Sequence, residues 1–135
     1  MKLTVLPSVV AVAIGFGVGY ASGASEAPRE SKGNSSVPLR SLDLSDELDS
    51  LKGRVLRMRK VTLQPRRVIG LHTHNGRPAV SYLLEGEVVY HQEGKPDLVL
   101  TPGQGFAEGK ATTHWGENRG QVPAVWIAVD MPREP

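Results

Sequence analysis

Ala79-Val80-Ser81-Tyr82-Leu83-Leu84-Glu85-Gly86-Glu87-Val88-Val89-Tyr90 is the stretch that decides the fold. It is rich in β-branched and aromatic residues, which suit a pleated, half-buried surface, and a single glycine breaks it where a strand bends or a turn begins. The same punctuation continues outward. Downstream, Glu93-Gly94-Lys95-Pro96-Asp97 is a turn cluster, Leu98-Val99-Leu100 a short strand and Thr101-Pro102-Gly103 a second turn signal. The loop Glu108-Gly109-Lys110-Ala111 leads to Thr112-Thr113-His114-Trp115, and Ala124-Val125-Trp126-Ile127-Ala128-Val129 is a closing apolar strand. Short strands, regular turns and no convincing helical period predict an all-β sandwich or barrel. Residues 41–48 alternate polar and apolar side chains; they read as a strand at the barrel edge, with a short helical turn over residues 46–51 as the other reading.

Upstream of the deciding stretch lies Gly70-Leu71-His72-Thr73-His74. Side chains alternate faces along a strand, so His72 and His74 share one face and Thr73 takes the other. Two imidazoles on one face can chelate an ion, and His114 falls where a barrel could bring a third. Neutral imidazole suits zinc, copper, iron and nickel rather than calcium. The competing reading is a polar histidine cluster without metal.

These residues resemble the cupin family, whose first motif runs Gly, five residues, His-x-His, then Glu and Gly, and whose second runs Gly, Pro-x-Gly, His and Asn. His72, His74 and Gly86 keep the first pattern; Gly103, His114 and Asn118 keep the second. The phrases Tyr82-Leu83-Leu84-Glu85-Gly86-Glu87 and His114-Trp115-Gly116-Glu117-Asn118 are similar to those of small single-domain cupins, and the likeness extends over residues 40–131. The resemblance implies an all-β, cupin-type double-stranded β-helix, a jelly-roll barrel, and a homodimer. It departs at the family's glutamate, a usual metal ligand, where this chain has Ala79. Arg66 replaces the first glycine of motif one, and Gly109 and Ala111 replace the proline and glycine of motif two.

Three histidines, His72, His74 and His114, remain as the metal ligands the resemblance implies, for one divalent transition metal: iron, manganese, zinc, nickel or copper. Three protein ligands and a water form a recognised catalytic arrangement. Glu108 is the candidate to replace the missing carboxylate or to handle protons, against a plain reading as a loop acid. Ser81 shares a face with Ala79 and so looks into the cavity as a hydrogen-bond donor or as small core filling. Tyr82, Trp115 and Trp126 are core residues or pocket lining; Glu85, Glu87 and His91 read as solvated. The basic run Arg54-Val55-Leu56-Arg57-Met58-Arg59-Lys60 reads as the outward face of one strand, with attraction of an anionic substrate as the sharper alternative.

Met1-Lys2 followed by the nearly polar-free residues 3–20 and the small residues Ala21-Ser22-Gly23-Ala24 has the form of a secretory signal, residues 1–24, with an uncleaved membrane anchor as the alternative. Residues 25–38, rich in Ser, Glu, Gly, Pro and Lys, are expected to be a flexible linker, and residues 39–135 one barrel domain. The address is then periplasmic or secreted. The chain has no cysteine, which excludes disulfides, thiolate ligands and cysteine nucleophiles. Sixteen basic against fourteen acidic residues argue against an electrostatic nucleic-acid binder, and no phosphate loop or nucleophile elbow is present. The leading expectation is an exported metalloprotein, oxygenase-like or isomerase-like, acting on a small oxygen-bearing substrate. The alternative is a non-catalytic small-molecule binding or sensing module in the same barrel.

Overall fold

A computed structural model describes residues 26–133; residues 1–24, expected to be a signal or anchor, lie outside them. Eight strands build the domain: β1 (Lys32–Asp43), β2 (Val55–Thr73), β3 (Ala79–Glu85), β4 (Val88–Gln92), β5 (Leu98–Leu100), β6 (Gly105–Glu108), β7 (Thr113–Glu117) and β8 (Ala124–Asp130). They run in the order β5-β4-β7-β2-β8-β3-β6, with β1 added against β2, every pairing antiparallel. The sheet curls as the turn punctuation predicts for an all-β sandwich or barrel, in the manner of the jelly-roll barrel that the resemblance implies. The deciding stretch divides at Gly86 into β3 and β4; a Cβ there would overlap the Pro123 carbonyl, and its φ of 70° suits glycine. The short helical turn is present at Asp49–Leu51.

β2 is the spine. Its first half pairs with β8 (Arg57↔Asp130 through Leu63↔Ala124) and its second half with β7 (Val68↔Glu117 through Thr73↔Thr113). The corner between them falls at Arg66, which holds φ at 59°. This is the position where the resembled motif has glycine, the residue that adopts such a φ without steric cost. Asn118, 1% exposed, pins the corner: its Nδ2 donates to the carbonyls of Leu63 (3.0 Å) and Val122 (2.8 Å), and its backbone exchanges hydrogen bonds with Arg66 and Arg67.

Inside the barrel Leu63 and Leu83 are fully buried and pack with Val61, Val88, Leu100 and Trp126. Each such aliphatic side chain contributes about 1.5–3 kcal/mol of burial.

Two expectations are corrected here. The linker boundary at residue 38 falls within β1: Ser35, Ser36 and Val37 pair with Thr62, Val61 and Lys60. Its side chains are exposed throughout, so composition looks linker-like while the backbone is held by β2. The basic run is also turned around. Leu56 and Met58 face outward, 39% and 41% exposed, whereas Arg57 and Arg59 turn toward the buried Asp130 of β8.

Candidate metal and anion site

A one-residue irregularity in β2 decides what the barrel holds. Ile69 pairs with Gly116 and His72 with His114, so β2 carries one extra residue at Gly70-Leu71. The bulge reverses the parity of the strand. Val61 and Ile69 line the interior before it, and His72 and His74 line it afterwards. Gly70 is needed here for space: a Cβ would lie 2.8–2.9 Å from the backbone of Arg29 and Glu30, which crosses over the bulge. Leu71 N–H donates to Pro28 O (2.7 Å) and Gly70 N–H to Ser31 Oγ (2.9 Å).

His114 projects from β7 onto the same point. The candidate ligand atoms of the three histidines all lie within 4.8 Å of one another, with His74 Nε2 3.2 Å from both His72 Nε2 and His114 Nε2. His72 Nδ1 lies 2.8 Å from Gly70 O and His74 Nδ1 3.2 Å from Arg77 O. A carbonyl only accepts, so both Nδ1 atoms carry the proton and both Nε2 atoms present lone pairs to the centre. Burial, acting most strongly, holds both imidazoles below their ordinary pKa despite the neighbouring Glu108 carboxylate. Two neutral acceptors 3.2 Å apart have no proton to share, an arrangement that could accommodate a cation. His114 Nδ1 is buried without a partner among the described residues, and its ring stacks on Tyr90 at 4.3 Å.

Glu108 joins this cluster. It ends β6, a strand that the adjoining turn residues conceal in the sequence, and is 6% exposed. Its Oε1 is 2.9 Å from His114 Nε2 and its Oε2 3.5 Å from His74 Nε2. Burial alone would raise its pKa, but the His114 hydrogen bond and the surrounding imidazoles outweigh that and hold it below the usual carboxylate range. Glu108 is the direct cross-strand neighbour of Ala79. The barrel thus has a carboxylate one strand over from the position where the resembled motif carries its glutamate.

The cavity around the cluster is about 130 Å³, lined also by Asn34, Ser36, Arg59, Arg77, Ser81, Tyr90, Phe106 and Trp126. Arg59 belongs to the basic run whose sharper reading is attraction of an anion, whereas Asn34, Ser36, Arg77, Tyr90 and Phe106 are lining residues that sequence reasoning missed. Asp130, 1% exposed, organises the arginines: Arg57 forms a two-pronged contact at 3.0 and 2.9 Å, Arg77 one at 3.0 Å and Arg59 one at 3.2 Å. Burial would raise the Asp130 pKa; the Arg57 hydrogen bonds and the Arg59 charge overcome this and depress it. Three guanidiniums on one carboxylate leave this end of the cavity positive.

Other candidates lie elsewhere. Ser81 faces the cavity as strand parity requires, and Trp126 is both core and lining. Tyr82 is half exposed on the outside. Trp115 stacks on His91, ring centroids 3.7 Å apart. His91 is not solvated: its side chain is 11% exposed, bridged between Asp97 (2.6 Å) and Glu117 (2.9 Å).

A cupin-domain family model matches residues 59–130. An oxalate-binding protein of Thermotoga maritima is 34% identical over 86 residues, 64% of this chain and 69% of that protein. Among solved structures, a predicted oxalate decarboxylase of Thermotoga maritima superposes with a TM-score of 0.58 at 24% identity, covering 80% of this chain and 95% of its own. A Thermus thermophilus protein gives 0.58 at 26%, covering 75% and 85%. KdgF from Halomonas gives 0.60 at 17%, covering 78% and 88%, a likeness of fold.

Proposed function

The chain belongs to the cupin family, and from that premise we propose that it binds one divalent transition metal through Nε2 of His72, His74 and His114, with Glu108 as carboxylate ligand, and takes a small oxygen-bearing anion in the same cavity. The observation that carries this reading is the convergence of the Nε2 lone pairs of His72 and His74, their tautomers set by the Gly70 and Arg77 carbonyls, on His114 Nε2, which donates to an ionised Glu108 and would give up that proton to an ion. The donors are of the kind a borderline transition metal selects. A bound ion would supply Lewis acidity toward the oxygens of the ligand. The residues do the rest: the carbonyls orient the imidazoles, Tyr90 packs on His114, and the arginines of the Asp130 cluster attract negative charge. Glu108, held ionised, is suited to ligation or to accepting a proton, and not to donating one at neutral pH.

Turnover of the oxygenase or isomerase type is the enzymatic form of this reading. The name of the oxalate-binding relative favours a second form, capture of a small carboxylate without turnover. His74→Ala separates them: lost turnover with retained fold supports the enzyme, and undiminished ligand binding without metal supports the module. The N-terminal segment supports export to the periplasm, testable by cell fractionation. The exposed Leu42, Leu56, Met58 and Val80 around Val129 support a homodimer, testable by sedimentation.

The primary experiment is elemental analysis of protein purified without chelator or histidine tag, beside a His72→Ala/His74→Ala variant. About one ion per chain, lost in the variant, is expected. No ion after incubation with iron, manganese, nickel, zinc and copper would refute the reading.

A further inference from the structure

The cavity has a second polar end. Arg59 of β2, Ala128 of β8 and Ser81 of β3 lie in one row across three strands, since Arg59 and Ser81 both pair with Ala128. All three line the cavity. The small Ala128 side chain leaves room above the row for the long arginine. Arg59 spends Nη1 on Ser36 Oγ (2.9 Å) and Nη2 on Asp130 (3.2 Å), but its Nε is buried with no hydrogen-bond partner among the described residues. Ser81 Oγ is likewise buried and unpartnered, in a residue 7% exposed. A buried donor without a partner is costly and demands an explanation. Here two such donors line the same cavity in one row of the sheet, on either side of Ala128, beside guanidiniums that one carboxylate leaves undercompensated.

We propose that Arg59 Nε and Ser81 Oγ form an oxyanion subsite that takes the distal carboxylate of a short dicarboxylate whose other end lies at His72, His74 and His114. An N–H of a guanidinium and a hydroxyl are strong donors to carboxylate oxygen. Arg77, also on Asp130, adds positive charge, and Glu108 at the histidine end repels a carboxylate that is not directed to an ion. Spacing fits the class: Ser81 lies two residues along β3 from Ala79, which is level with Glu108, so the backbone rows of Ser81 and Glu108 are about 7 Å apart along the strand. A chain of about two to four carbons spans that distance, allowing for side-chain reach. The proposal rests on the histidines being the metal end of the ligand site.

The test is calorimetric titration of the full chain, as purified and after manganese loading, with acetate, oxalate, malonate and succinate. Metal content is measured in parallel for the parent, Ser81→Ala, Arg59→Gln and Arg59→Lys. The parent is expected to prefer a dicarboxylate over acetate. Ser81→Ala and Arg59→Gln are expected to lose about 10- to 100-fold of dicarboxylate affinity, the range for a hydrogen bond to a charged group. Acetate affinity and metal content should stay within about two-fold, by the same argument. Arg59→Lys keeps a charge for Asp130 should the glutamine variant unfold, and is expected to lose the same preference because it has no Nε in that position. Equal affinity of the parent for acetate and the dicarboxylates, or no binding of any of them, overturns the subsite. So does dicarboxylate binding unaffected by Ser81→Ala and by the folded Arg59 variant. Metal-free protein that still binds dicarboxylate in an Arg59- and Ser81-dependent way supports the subsite, and a chain that takes up no manganese while doing so overturns the metal reading alone.

Discussion

Glu108→Gln keeps the size and hydrogen-bonding shape of the side chain while removing the one carboxylate that, among the described residues, touches the histidine cluster, through His74 and His114. At an effective dielectric constant of about 20, a unit charge about 4 Å from a divalent ion contributes on the order of 8 kcal/mol before desolvation. Desolvation of carboxylate and ion takes back more than half, leaving about 3 kcal/mol, or roughly 100-fold in metal affinity. The register supplies a rescue. Ala79 is 6% exposed and level with Glu108 on the adjacent strand, so Ala79→Glu combined with Glu108→Ala moves the carboxylate back to the position of the resembled motif. The expected order of metal affinity is parent, then the double variant within about ten-fold, then Glu108→Gln and Glu108→Ala. Competition with a chromophoric chelator at pH 7 reads the constants, and thermal melts of the metal-free proteins check the fold. Glu108→Gln binding metal within three-fold of the parent, by roughly 0.6 kcal/mol or less, would refute Glu108 as a ligand. A double variant no better than Glu108→Ala would refute the idea that the two positions serve one centre.

Arg66→Gly should stabilise the protein by up to about 1 kcal/mol, since relief of a left-handed φ worth about 1–2 kcal/mol exceeds the added chain entropy; an unchanged or lower urea midpoint would count against strain at the corner. Asp130→Asn leaves three arginines facing one another and should cost about 3–5 kcal/mol by chemical denaturation. The folded Asp130 pKa lies below its ordinary 3.8, so its contribution is present above that value and is lost as pH falls through the folded pKa. Parent stability should therefore decline as pH drops below about 4, more steeply than that of Asp130→Asn; parallel acid profiles would exclude the ionised cluster. Gly70→Ala pushes a Cβ against the Arg29 and Glu30 backbone, and should cost about 1–3 kcal/mol while weakening metal binding through His72. Metal affinity equal to the parent would show that the bulge does not aim His72.

The residues from Ala79 to Leu100 disclosed the strand plan because β-branched runs and glycine turns are local preferences, expressed whatever the partner. The His72-Thr73-His74 spacing likewise placed both imidazoles on one face, because the pleat has period two. Which face that was depended on the extra residue at Gly70-Leu71, and a bulge is a property of two paired strands. The arginine run misled for a related reason. Arg57 and Arg59 alternate with Leu56 and Met58, and ordinary patterning turns the charges outward. Asp130, more than seventy residues away in sequence, supplies a buried counter-charge that pulls them in. His91 has the same history, since Asp97 and Glu117 meet it only across β4, its turn and β7.

The sequence by itself therefore determined the all-β class and the shared face of His72 and His74, which follow from local periodicity, while the barrel type and the set of three histidines came from the resemblance of its motifs to the cupins. Only the tertiary structure decided that Glu108 stands beside Ala79, that two arginines line the cavity, and that Arg59 Nε and Ser81 Oγ are left unpaired within it. Those facts are set by register between strands distant along the chain, where a shift of one residue turns every side chain to the other face.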